Sequence, residues 1–64
     1  MRFVNKYIDK IYKYLYIHDG ETLLMKDMER ELNITVKTIR KYLRWLVRRE
    51  YIKKDGKKIS ILPQ

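Results

Sequence analysis

Thr35–Glu50 reads TVKTIRKYLRWLVRRE, and this stretch decides the fold. At about 100° of turn per residue, Val36, Ile39, Leu43 and Leu46 fall on one side of a helix. Lys37, Arg40, Lys41, Arg44 and Arg48 gather between about 100° and 200° from Ile39, opposite that stripe. No acid interrupts them. Thr35 stands where a helix start favours a hydroxyl, whose oxygen can accept an orphan N–H of the first turn. The spacing predicts one amphipathic helix over 35–50. A basic face is most often simply solvated, but solvated faces usually mix both signs. Five cations with no anion among them repel one another along i, i+3 and i+4. A sequence keeps such a face more readily where an anionic partner covers it, so the pattern favours nucleic-acid contact over plain solvation.

Upstream, Leu24–Leu32 reads as a short helix with Leu24, Met25, Met28 and Leu32 inward and Lys26, Asp27, Glu29 and Arg30 outward. Asn33, the non-glycine residue that best tolerates a left-handed turn, separates it from the basic helix. Ile34 can plug the gap between the two. This is helix–short turn–helix spacing. Earlier still, Val4, Ile8, Ile11 and Leu15 form one apolar stripe of a helix over Arg2–Ile17. Phe3, Tyr7 and Tyr14 form a second stripe that either wraps the core edge or meets a second subunit. Tyrosine suits an interface, and a homodimer through this helix is expected. Gly20, after His18 and Asp19, can supply a left-handed helix cap. Glu21–Leu23 reads as a short extended piece.

Downstream the period changes. Tyr51–Lys54, Asp55-Gly56 and Lys57–Leu62 read as a β-hairpin, since Asp-Gly between extended runs suits a two-residue turn with positive φ at both positions. That turn pairs Lys54 with Lys57, Lys53 with Lys58 and Ile52 with Ile59. It puts Ile52, Ile59 and Ile61 on the face that covers the helices. It also sets lysines directly opposite lysines, which is unfavourable unless phosphates neutralise them. Trp45 falls between the apolar and basic faces. It can stack on an arginine, pack under the hairpin or join a contact between copies, and a packing role is favoured over DNA contact.

The chain has 64 residues and a formal net charge of +8. It reads as a single domain over 1–64 with a marginal core. Residues 1–36 carry six basic and six acidic side chains, while residues 37–64 carry ten basic against two acidic. The whole excess belongs to the basic helix and the hairpin, which implies a directed polyanion-binding surface. There is no cysteine, so neither a disulfide nor a thiolate metal site is available. That fits an intracellular, cytoplasmic protein. No apolar run approaches a membrane span. One histidine, no glycine-rich phosphate loop and no acid/histidine cluster at ligand spacing argue against an enzyme, a cofactor or a metal site. No small-molecule ligand is evident. His18 reads as a helix-dipole partner or a solvated residue. Asp27, Glu29 and Glu31 read as surface charges.

Helix, short strand, helix, turn, basic helix and charged hairpin together resemble the winged helix-turn-helix family of DNA-binding domains, an α+β fold of three helices and a two-stranded wing. The resemblance spans Phe3 to Leu62. It is carried by Leu32-Asn33-Ile34-Thr35, then Ile39, Leu43 and Leu46, then Tyr51-Ile52 and Lys-Lys-Asp-Gly-Lys-Lys. It implies binding of double-stranded DNA, with the third helix in the major groove and the wing on backbone or minor groove. By position, Val36, Lys37, Thr38, Arg40, Lys41 and Arg44 face DNA, and Lys53, Lys54, Lys57 and Lys58 belong to the wing. Without the larger effector or dimerisation parts of many members, the chain looks like a minimal transcription regulator of archaeal or viral type. Lys37 and Lys41 suit guanine acceptors, Thr38 a base edge or thymine methyl, and Arg40 either bases or phosphates. Arg44, Arg48 and the wing lysines suit phosphates. The rival readings are a winged-helix protein-interaction module and a nonspecific nucleic-acid coater.

Overall fold

Asn5 opens the first helix in the computed structural model, which describes Phe3 and residues 5–64. Its side-chain oxygen accepts the N–H groups of Tyr7 and Ile8 at 2.8 and 3.2 Å, satisfying two orphan donors of the first turn. Helix α1 therefore spans Lys6–Ile17 rather than starting at Arg2. Val4, assigned above to its apolar stripe, lies outside the described residues. Ile8, Ile11 and Leu15 are buried as the stripe requires, and Tyr12 is buried with them. Gly20 does take a left-handed conformation, φ 80°, but the helix cap is His18. The N–H of Gly20 donates to the carbonyl of Ile59 in the distant hairpin at 3.0 Å.

Helix α2 (Met25–Leu32) starts after Leu24, its N-cap residue. At that position Leu24 is 47% exposed, which corrects its assignment to the inward face: a residue just before the first turn does not yet follow the helical period. Met28 and Leu32 are buried. The Lys10 ammonium donates to the Leu32 carbonyl at 3.0 Å, so a cation from α1 closes the carbonyl end of α2, where the dipole favours it. Asn33 is left-handed at φ 57°, and Ile34 is buried. Helix α3 (Val36–Arg48) follows, with Thr35 as its N-cap.

Strands β1 (Ile52–Asp55) and β2 (Lys58–Ile61) form an antiparallel pair. Three helices followed by this hairpin make an α+β arrangement consistent with a winged-helix topology. Ile52 and Ile59 are each 1% exposed and join Ile11, Leu15, Ile39 and Leu46 in one core. At about 1.5–3 kcal/mol for each fully buried aliphatic side chain, the two hairpin isoleucines are as much a part of that core as the helices. An aromatic cluster closes its edge. Phe3 meets Tyr12 and Tyr51 edge-on at 5.0 and 5.1 Å, and Trp45 stacks on Tyr51 at 5.9 Å. Burial, with Tyr16, Tyr51 and Asp19 nearby, raises the Tyr12 phenol above its ordinary pKa. Phe3 and Tyr14 pack against the core, and Tyr7 stacks on Tyr42 at 6.3 Å. The aromatic stripe of α1 thus wraps the core edge, the first of the two roles it could take.

Helix α3 stops before residue 50. Glu50 is left-handed at φ 62°. Its N–H donates to Val47 and the N–H of Tyr51 to Leu46, both at 3.0 Å. This is the paired-bond helix ending in which glycine is the favoured left-handed residue. A side chain there is strained, and a carboxylate beside a helix C-terminus is unfavourable. Glu50→Gly should therefore stabilise the protein by about 0.5–1 kcal/mol, measured as a shift in the urea midpoint with an unchanged slope. An unchanged or lower midpoint would show that the Glu50 side chain contributes more than its backbone costs.

Candidate nucleic-acid interface

Burial of Ile39, Leu43 and Leu46, none more than 3% exposed, fixes the rotation of α3. The opposite side then has to face solvent. Lys37, Arg40, Lys41, Arg44 and Arg48 are all exposed there. Lys37, Thr38, Arg40, Lys41 and Arg44 line one shallow hollow; Val36 and Arg48 do not. Val36 is half-buried, as a residue at the margin between stripe and basic face should be. Among the described residues the ion pairs are Lys13–Asp9, Arg30–Asp27 and the His18–Glu21 contact. None involves α3 or the hairpin. The ammonium of Lys41 lies 5.5 Å from the Tyr42 ring centre.

The start of α3 is set from two sides. Thr35 Oγ1 accepts the Thr38 N–H at 3.4 Å and donates to Thr38 Oγ1 at 3.0 Å. A carboxylate oxygen of Glu29, on α2, accepts the Val36 N–H at 3.0 Å. Helix starts attract anions through their free N–H groups and dipole. Here a side chain of the protein itself already holds that position. The face of α3 is left to work through its side chains, and Thr38 presents a hydroxyl whose rotamer is held by Thr35. Glu29 was read from sequence as a surface charge. Its role as a cap depends on the close approach of α2 and α3, which the sequence spacing does not specify.

The hairpin register corrects the one read from sequence. Ile52 pairs with Ile61, Lys53 with Ser60, Lys54 with Ile59 and Asp55 with Lys58. The turn residues are Gly56 and Lys57, not Asp55 and Gly56. Only Gly56, at φ 63°, has positive φ, the pattern of a turn with glycine at its first central position. A two-residue slip keeps the same side chains inward, because the period along a strand is two. Apolar patterning therefore could not choose between the registers. Charge can: the observed register replaces two lysine–lysine pairs with an Asp55–Lys58 pair and neutral partners for Lys53 and Lys54. All four lysines are exposed. They are not on one face, however. Lys54 shares the side of Ile52 and Ile59, Lys53 and Lys58 share the other, and Lys57 sits in the turn.

Residues 19–23 hold the hairpin in place. Leu23 N–H donates to the Lys57 carbonyl at 2.8 Å, and Gly20 N–H to that of Ile59 at 3.0 Å. Ile61 N–H donates to Asp19 Oδ1 at 2.7 Å. Thr22 bridges Lys58, which gives the extended piece expected near 21–23. The outer edge of β2 is thus paired, and the wing is fastened to the body of the protein.

Trp45 is half-buried between Tyr51 and Phe3, and the Arg49 guanidinium lies 5.1 Å from its ring centre. Stacking on an arginine and packing at the root of the hairpin are both realised. No family model matches this chain, and neither a curated protein nor a solved structure does. Among the described residues, no helix is long and apolar enough to cross a membrane.

The register generates a salt-dependent stability difference. Asp55→Lys places a lysine opposite Lys58 and should cost about 0.2–1 kcal/mol at low ionic strength, shrinking toward zero as salt screens the pair. Thermal unfolding followed by circular dichroism at two salt concentrations measures it. A loss that does not change with salt would contradict this register.

Proposed function

We propose that the protein binds double-stranded DNA as a sequence-specific transcription regulator, with α3 in the major groove and the hairpin lysines on the backbone or in the minor groove. The observation that supports this most is the α3 face itself. Lys37, Thr38, Arg40, Lys41 and Arg44 converge on one hollow with no acid among them. The helix is held from behind by three buried aliphatic residues. A helix is the element whose width suits the major groove, and the helix–turn–helix placement of α2 and α3 supports that mode of entry. Lys37, Thr38 and Lys41 carry base contacts, and Arg40 serves bases or phosphates. Arg44, Arg48, Lys53, Lys54, Lys57 and Lys58 hold phosphates, which fix register without reading sequence. Val36, half-buried, borders the base-reading residues. No reacting group, metal or cofactor is required. A compartment shared with DNA, cytoplasmic in a cell without a nucleus, follows from the same reading.

If about six to ten phosphates are neutralised, affinity should fall about 10³–10⁵-fold between 50 and 200 mM salt. Selection from random duplexes should yield a preferred site. On that site Lys41→Ala should lose about 1–3 kcal/mol and relax the choice of base, while Lys57→Ala should weaken all duplexes about equally and lower the salt slope by about 1. Fluorescence anisotropy on preferred and scrambled duplexes separates the outcomes. Near-constant affinity across salt would refute DNA binding through this face. Equal, sequence-independent losses for both variants would mean a nonspecific coater. Absence of binding would leave the basic face for an acidic protein partner.

A further inference from the structure

The most exposed large apolar side chains among the described residues are not on the basic face. Tyr16 and Ile17, at the C-terminal end of α1, are 65% and 75% exposed. They border a groove whose far side is formed by Ile61, Leu62 and Pro63, and Lys13 and Asp19 also line it. The aromatic residues first expected at a dimer contact are engaged elsewhere. Phe3 and Tyr14 lie against the core, and Tyr7 lies on Tyr42.

We propose that this groove is the contact surface for a second copy of the chain, related by a two-fold axis passing near Tyr16. A two-fold contact pairs residue i with j and j with i. Lys13 lies on α1 and Asp19 just beyond its end, on the same groove, so a two-fold contact over that groove can set each Lys13 against the Asp19 of the other copy. Among the described residues these are the only two charged ones lining the groove, and no like charges of theirs meet across it. Both are already held at the surface. Asp19 accepts the Ile61 N–H at 2.7 Å, and Lys13 is anchored 3.1 Å from Asp9 with 70% of its side chain exposed.

Charge across the whole molecule selects the same surface. Two chains of net charge +8 repel, and residues 37–64 carry all of the excess. The groove is built from α1 and its C-terminal cap region, within the half that sums to zero, together with Ile61–Gln64, which bear no charged side chain. With one cation and one anion on its lining, it is a surface on which a second copy can approach away from the excess charge, leaving both α3 faces free. Each copy supplies both the protruding pair, Tyr16 and Ile17, and the groove that receives it. A contact centred on this groove belongs to the small end of specific interfaces, and the expected dimer is a weak one that dissociates at about micromolar concentrations.

Sedimentation equilibrium of the full chain, without DNA, tests this independently of the DNA reading. The expected result is a reversible monomer–dimer equilibrium. Ile17→Asp should weaken it about tenfold or more while leaving the helical circular dichroism intact, because Ile17 is three-quarters exposed. Lys13→Glu should weaken it in a manner that fades with added salt. Tyr7→Asp, on the flank of α1 that faces Tyr42, should leave it unchanged. A chain that stays monomeric through the micromolar range overturns the proposal. So does an Ile17→Asp variant that associates as tightly as the parent, or a loss confined to Tyr7→Asp.

Discussion

Burial of Ile39, Leu43 and Leu46 behind α3 is the interaction on which the rest of the molecule depends. Three fully buried aliphatic side chains contribute roughly 5–9 kcal/mol. Repulsion between neighbouring cations on the far side costs only a few tenths of a kcal/mol per pair. Over all the neighbouring pairs of that face the repulsion reaches only about 1–2.5 kcal/mol, so the apolar term wins several-fold, and the helix forms and rotates its cations outward whether or not a partner is present. Nothing in the described residues neutralises them: the acids nearest in sequence are Glu31, on α2, and Glu50, and neither forms an ion pair with α3. The charged face follows from the core.

The other half of the positive surface owes its placement to backbone pairing rather than to side chains. A free two-stranded hairpin is marginal in water. Here Ile52 and Ile59 plug the core, and residues 19–23 pair with the remaining edge of β2. Both the recognition helix of the proposed complex and its wing are therefore preformed. Little ordering entropy would be lost on docking, and affinity would rest mainly on electrostatics and fit. The Glu29 cap contributes in the same direction, since it ties the first N–H of α3 to α2 and fixes the angle of the turn.

What the sequence could convey was local. Asn33, Thr35 and the period of α3 each act within a few residues, and each is found where the pattern put it. The misses share a different cause. Tyr12 carries a hydroxyl and lies off the aliphatic stripe, yet it is buried by Phe3 and Tyr51, which come from opposite ends of the chain. The hairpin register could slip by two without disturbing its inward face. The choice rests on the pairing of Asp55 with Lys58 and on contacts with residues 19–23. Glu29 looked like any exposed acid because its partner, seven positions on, is reached only once the turn has closed. Periodicity puts Leu24 inward, although the helix begins only after it. The α3 face, by contrast, could be read directly, since it is the complement of a stripe the sequence states plainly.

The seam between residues 19–23 and β2 also dictates an order of events during synthesis. The hydrogen bond between Asp19 and Ile61 spans 42 positions, and the entropy of closing so long a loop must be met before its contacts stabilise anything. The three helices can each form as they emerge, but Ile59, one of the side chains that seals their common interior, is translated near the end of these 64 residues. Until then a nascent chain carries its aliphatic stripes open to water. Completion of this fold therefore waits for residues 59–61, which follow all three helices in the chain, and the hairpin is its closing clasp.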